Sequence, residues 1–150
     1  MIQRFEEFTS NIAKAYKSII KIKGHEMTEY GLKASNVTCL FHLGKNEDGL
    51  TATELCALCM EDKAAVSKSL SLLKEKGYIE QENDDKKYKL KYFITPSGKK
   101  VFDEISVVIG QVVSQVGDGL TDDERNVFYK SLGIIVQNLN TLCTASEGKA

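Results

Sequence analysis

DKAAVSKSLSLLKEKGYI, residues 62–79, carries two periods that cannot both be structural. From Val66 to Leu72 apolar and polar residues nearly alternate, as they do in a half-buried strand. The ends are punctuated for a helix: Asp62 is a good N-cap, Lys74 and Lys76 suit a last turn, and Gly77 suits the left-handed position just past a helix end. Wound at the helical period, Val66, Leu70 and Leu73 form one line, with Ala65, Ser69 and Leu72 beside it. Ala64, Ser67, Lys68, Ser71 and Lys74 then fall on the opposite face. This period accounts for the caps and the apolar residues together, so the spacing predicts a helix and makes the alternation a coincidence.

Upstream, Leu50 to Leu55 (LTATEL) holds a second start signal. Thr51 is placed as N-cap, Glu54 completes a capping box, and Leu50 and Leu55 sit where a hydrophobic staple needs them. This predicts a helix of about two turns, to roughly Cys59, joined to the longer one through Met60 and Glu61. Downstream, Tyr78 to Gln81 reads as extended, residues 83–87 (NDDKK) as a polar turn, and Tyr88 to Ile94 as an alternating strand, a two-stranded hairpin. Thr95 then caps a helix that has Pro96, the only proline, at its first position.

The ends of the chain are helical by the same test. Phe5, Phe8, Ile12, Ala15, Ile19 and Ile22 form one stripe, with Gly24 as its expected stop. Gly31 and Gly44 frame a shorter helix around Val37, Leu40, Phe41 and Leu43. Phe102, Ile105, Ile109, Val112 and Val116 form another stripe. After Gly117-Asp118-Gly119 a capping box at Thr121 and Glu124 opens a last helix carrying Phe128, Leu132, Ile135, Leu139 and Leu142. These long seams at both ends are either internal core or the contact between two copies of the chain.

With 150 residues, 42 % hydrophobic and 27 % charged, the chain reads as one globular domain, 1–150. It contains no apolar run long enough to span a membrane, and Arg4, Glu6, Glu7, Lys14 and Lys17 interrupt what would be a signal peptide, so it is expected in the cytoplasm. The net charge of −1 conceals a division: residues 62–100 hold ten lysines against six acids, a net +4, leaving −5 elsewhere. A lysine-rich face alone is ordinarily just solvated; within a helix-turn-helix followed by a basic hairpin it reads as a surface for a polyanion.

Four cysteines in a chain of this kind are expected as free thiols. Cys56-x-x-Cys59 invites a metal or a redox reading, but only His25, His42, Cys39 and Cys143 could complete a zinc site, and they are scattered. No thioredoxin-like strand and helix surrounds the pair. The sequence implies no metal, no cofactor and no catalytic residues: the histidines lack a local triad, and the acidic pairs Asp84-Asp85 and Asp122-Asp123 fall at a turn and a helix start.

Short helix, tight link, longer helix and hairpin make a winged helix-turn-helix, mainly α with a small β-hairpin wing. In detail, LTATEL, DKAAVSKSLSLLKEKGYIEQ, a charged turn and ITPSGKK closely resemble the multiple antibiotic resistance regulator (MarR) family. That resemblance implies dimerisation helices at 1–23 and 101–145 around a DNA-binding region at 36–100. It implies a homodimeric, ligand-responsive repressor that binds double-stranded DNA at a palindromic operator. Residue by residue it places Lys63, Ala64, Ser67, Lys68, Ser71 and Lys74 toward the major groove, and Lys86, Lys87 and Lys89 on the wing. The family usually carries Asp-x-Arg at the wing; here Asp85-Lys86-Lys87 substitutes a point charge for a planar fork. A small-molecule effector would bind among the first, second and fifth helices, with Tyr16, Cys39 and His42 as candidate contacts. Two other readings remain at this point: a winged-helix dimer that serves as a protein-interaction module without its own operator, and a regulator that senses thiol oxidation.

Overall fold

Thr51 ends one element and starts the next. With Leu50 it forms the short strand β1 (Leu50–Thr51), and its side chain opens α3 (Ala52–Cys59). Its hydroxyl accepts the Glu54 backbone N–H at 3.3 Å, while the Glu54 carboxylate accepts the Thr51 N–H at 2.7 Å. The expected capping box is therefore formed, and Leu50 and Leu55 beside it are both buried. The computed structural model describes residues 2–82 and 90–147.

Before β1 come α1 (Ile2–Glu26), a 3-10 turn (Thr28–Tyr30) and α2 (Ala34–Lys45). After α3 come α4 (Lys63–Glu75), β2 (Ile79–Gln81), β3 (Lys91–Ile94), α5 (Pro96–Val116) and α6 (Asp122–Glu147). The order is that of a winged helix-turn-helix flanked by long helices. Two compact units divide the chain, Met1–Val108 and Ile109–Ala150, with the boundary inside α5.

Two expectations are corrected. Gly24 does not stop the first helix, which continues to Glu26; one glycine costs a helix only about 1 kcal/mol, too little to end it without a competing structure. The two strands of the expected hairpin do pair, but they are not the whole sheet. β1 pairs antiparallel with β3, Leu50 opposite Tyr92, and β3 pairs antiparallel with β2, Ile79 opposite Ile94, giving the order β1-β3-β2. A strand of two residues is too short to leave a period in the sequence. The third strand also explains why all four residues of β3 are half-buried instead of alternating. The Phe93 ring lies against Gly49, and the Lys91 ammonium donates to the Asp48 carbonyl at 3.0 Å.

The core of the first unit gathers Val37, Leu40 and Leu43 from α2, Leu55 from α3, Val66, Leu70 and Leu73 from α4, Ile79 from β2, and Val101, Phe102 and Ile105 from α5. Each such side chain contributes roughly 1.5–3 kcal/mol by leaving water. Two glycines are required by geometry. Gly77 has φ 71°, the left-handed turn that ends α4. Gly98 sits so close to the chain before it that a Cβ would overlap the Tyr78 carbonyl oxygen.

In the second unit Thr121 and Glu124 form the predicted capping box of α6, with the Thr121 N–H donating to the Glu124 carboxylate at 2.8 Å. Hydrogen bonds from the Thr121 backbone and hydroxyl hold that carboxyl below its ordinary value.

Candidate nucleic-acid interface

Asp62 starts α4 as expected: its carboxylate accepts the Ala65 N–H at 2.8 Å. The turn before it is tight because Met60 adopts the left-handed conformation, φ 55°, and Glu61 donates back to the Cys56 carbonyl at 3.2 Å. For a residue with a Cβ that conformation costs about 1–2 kcal/mol, so the turn between the two helices is held by its surroundings.

The two faces of α4 separate as the helical period predicts. Val66, Ser69, Leu70 and Leu73 are buried, whereas Lys63, Ala64, Ser67, Lys68, Ser71 and Lys74 are all exposed. Among the described residues neither Lys63 nor Lys68 joins an ion pair, so both ammonium groups remain open to an anion. The Ser71 hydroxyl donates to the Ser67 carbonyl at 2.9 Å, and Lys74 donates to Gln81 at 3.1 Å. Ser71 therefore offers a lone pair at once and its proton only after the hydroxyl rotates, and Lys74 is drawn toward β2.

Behind the face, polar contacts fix where α4 lies. The Asn36 amide donates to the Ser69 hydroxyl at 3.1 Å, while its carbonyl accepts the Lys33 N–H at 2.8 Å at the start of α2. Both Asn36 and Ser69 are buried, so this bond ties the two helices where water cannot compete. At the far end the Thr95 hydroxyl donates to the Gly77 carbonyl at 2.6 Å and accepts the Gly98 N–H at 3.1 Å. One side chain thus caps α5 and holds the end of α4. The sequence showed Thr95 as a cap; nothing in it showed the second bond, or that Asn36 would reach across 33 positions.

At the base of the wing Glu82 and Lys91 exchange bonds, Glu82 N–H to the Lys91 carbonyl at 2.8 Å and Lys91 N–H to the Glu82 carboxylate at 3.3 Å. Lys86, Lys87 and Lys89 lie outside the described residues.

The model of the MarR family matches residues 30–87, which run from the turn before α2 to a few residues past β2. Over that segment, and not over the whole chain, the protein is similar to the MarR family. A search of curated proteins found no match to the chain. Among solved structures, the transcriptional regulator SlyA aligns with a TM-score of 0.81 at 20 % identity, over 88 % of this chain and 93 % of that one. A MarR family protein from Listeria monocytogenes, complexed with a 26mer DNA, aligns at 0.81 and 19 % identity over 87 % of each chain. The Staphylococcus aureus MepR–DNA complex aligns at 0.77 and 16 % identity, over 88 % of this chain and 96 % of that one. At such identities the likeness is one of fold: α3 and α4 are the two helices of a helix-turn-helix.

The three candidate effector contacts are not brought together. Tyr16 lines an open groove of about 700 Å³ with Ile20, Leu32, Lys33, Ser35 and Glu61, among others, but neither Cys39 nor His42 lines it. Cys39 is buried in the core, its sulfur 3.6 Å from that of Cys59. His42 packs edge-on to Phe41 with ring centres 5.7 Å apart, and burial, with Lys23 nearby, pushes its pKa down. All four cysteines are free, and the close pair is Cys39 with Cys59, not the Cys56-x-x-Cys59 of the sequence. Among the described residues no three His, Cys, Asp or Glu side chains converge as metal ligands, and no helix is long and apolar enough to cross a membrane.

Proposed function

We propose that this protein is a cytoplasmic, sequence-specific DNA-binding regulator of transcription of the MarR family that acts as a homodimer and represses until a small-molecule effector binds. The observation that carries the reading is the outer face of α4: small side chains at Ala64, Ser67 and Ser71 flanked by Lys63 and Lys68, which join no ion pair among the described residues, on a helix whose other face is buried. Small residues let a helix sit deep in a groove about 12 Å wide, hydroxyls bond base edges or phosphates, and ammonium groups displace counterions. Lys86, Lys87 and Lys89 add to the net positive charge of residues 62–100 in the sequence. Two of the structural neighbours are DNA complexes, which supports the same reading.

Dimerisation is supported by apolar side chains left exposed on the long helices. On α1 these are Ile2, Phe5, Ile12 and Ile19; on α6 they are Phe128, Ile135, Leu139 and Leu142. A two-fold dimer would present two α4 helices to half-sites about one helical turn apart. Effector control would then be geometric: a molecule that prefers another spacing of the two helices lowers the population able to bind. The groove at Tyr16, between α1 and the start of α2, is the site for it.

A gel-shift titration on DNA flanking the gene tests the reading. Selective binding that weakens on Lys68→Ala and Ser71→Ala is expected. Absence of binding to any such fragment would leave the protein-interaction module, to which the −5 charge outside residues 62–100 is suited.

A further inference from the structure

The Cys39 and Cys59 sulfurs are 3.6 Å apart and share a hydrogen bond, although the residues are 20 positions apart on α2 and α3. They are unequal: Cys39 is 1 % exposed, whereas Cys59, at the end of α3, is partly open to solvent. Cys39 also lies against the Ser69 hydroxyl on the buried face of α4, so its sulfur sits where α2, α3 and α4 meet. We propose that Cys59 and Cys39 are a peroxide-oxidisable pair that closes to a disulfide within one chain and thereby changes how α4 is presented. The consequence for DNA rests on the function proposed above; the disulfide itself does not.

Charge is distributed as such a reaction needs. The hydrogen bond from Cys39 lowers the Cys59 thiol below its ordinary range, an effect that the nearby Lys23 reinforces while partial burial and Glu61 oppose it. The same bond, together with burial, raises Cys39, so Cys59, which is also the more exposed sulfur, is the one set to react first as its thiolate. That thiolate attacks one oxygen of a hydroperoxide; the O–O bond breaks, hydroxide leaves and takes up a proton, and Cys59 becomes a sulfenic acid. The Cys39 sulfur, giving up its proton, then attacks the Cys59 sulfur; the S–S bond forms as the S–O bond breaks and water departs. Two thiols lose two electrons, and one hydrogen peroxide is reduced to two waters.

Closing the bond to about 2.05 Å draws the sulfurs together by roughly 1.5 Å. Cys59 is followed directly by Met60, already in the left-handed conformation, and then by the Asp62 cap of α4, so the pull acts on the turn that aims the helix. Movement of Cys39 also disturbs its contact with Ser69, the α4 residue that Asn36 holds.

The test uses the full-length protein treated with equimolar hydrogen peroxide, followed by intact mass, non-reducing peptide mapping and DNA binding. Cys56→Ser is the background, so that the bridge can be assigned within the α3 peptide. Expected are a loss of about 2 Da, a cross-linked peptide joining Cys39 to Cys59, and a DNA affinity changed by roughly 5- to 150-fold that returns on adding dithiothreitol. Cys39→Ala should stop at the sulfenic acid, Cys59→Ser should not react, and Cys143→Ser should behave as the parent. A bridge to another cysteine, or none, overturns the proposal, as does a Cys39–Cys59 bridge that leaves the affinity within twofold of that of a reduced protein that does bind. If the reduced protein binds no DNA, the proposed function fails separately. The cross-linked peptide then still decides the pair, and hydrogen exchange over residues 55–66, changed or unchanged on oxidation, decides its effect on α4.

Discussion

The helices α4 and α6 read alike in the sequence, each with apolar residues three and four apart between polar ones, yet they end in different surroundings. Val66, Leu70 and Leu73 of α4 are no more than 4 % exposed, while Phe128, Leu139 and Leu142 of α6 are 53 %, 40 % and 65 % exposed. An amphipathic pattern thus states that a face is to be covered without stating by what. For α4 the cover is the chain itself, through α2 and α3; for α6 we propose a second copy.

The sharpest way to break this contrast is a pair of substitutions. Leu73→Ala, at a fully buried position, should cost roughly 2–5 kcal/mol in urea unfolding, by lost transfer energy and a residual cavity. Leu139→Glu should act on association instead: sedimentation should show the wild type as a dimer at micromolar concentration and the variant shifted toward monomer. A monomeric wild type would remove the contrast. Next in size is Gly98→Ala, expected to cost about 1–3 kcal/mol because the added Cβ meets the Tyr78 carbonyl oxygen and not a flexible side chain.

Within α4 the same contrast applies to two serines. Ser69→Ala leaves the buried Asn36 amide unpartnered and should cost about 1–3 kcal/mol of stability. Ser67→Ala, on the exposed face, should change stability by no more than about 0.5 kcal/mol and act on DNA affinity alone. Equal stability losses would contradict the division of faces. The smallest effect is expected at the start of α6. The Glu124 carboxyl is held below its ordinary pKa, so its support of the helix is present above that ordinary value and is lost as pH falls through the folded one. Helix content by circular dichroism should show that acid loss, and Glu124→Gln should flatten it.

Much of this was legible in the sequence because caps and periods are local. Asp62, Thr51 with Glu54, Thr95 with Pro96, and Thr121 with Glu124 each act within four residues, and the exposed face of α4 follows from the 3.6 period alone. What escaped was non-local or too short to show a period. β1 is two residues long and is a strand only because β3 lies beside it. Asn36 with Ser69, and Cys39 with Cys59, are contacts between helices that no spacing reports, and the local Cys56-x-x-Cys59 pattern pointed to the wrong partner. Gly24 illustrates the opposite error, a local breaker overridden by the helix on either side of it.

The central claim is that the exposed face of α4 binds DNA. Fluorescence anisotropy with labelled DNA flanking the gene, titrated between 50 and 200 mM salt, tests it most directly. If two subunits contact about six to ten phosphates, affinity should fall by roughly three to five orders of magnitude over that range, and Lys68→Ala should lower the slope of log affinity against log salt by about one per subunit. Binding that is indifferent to salt and to Lys68→Ala, or no binding at 50 mM, would contradict it.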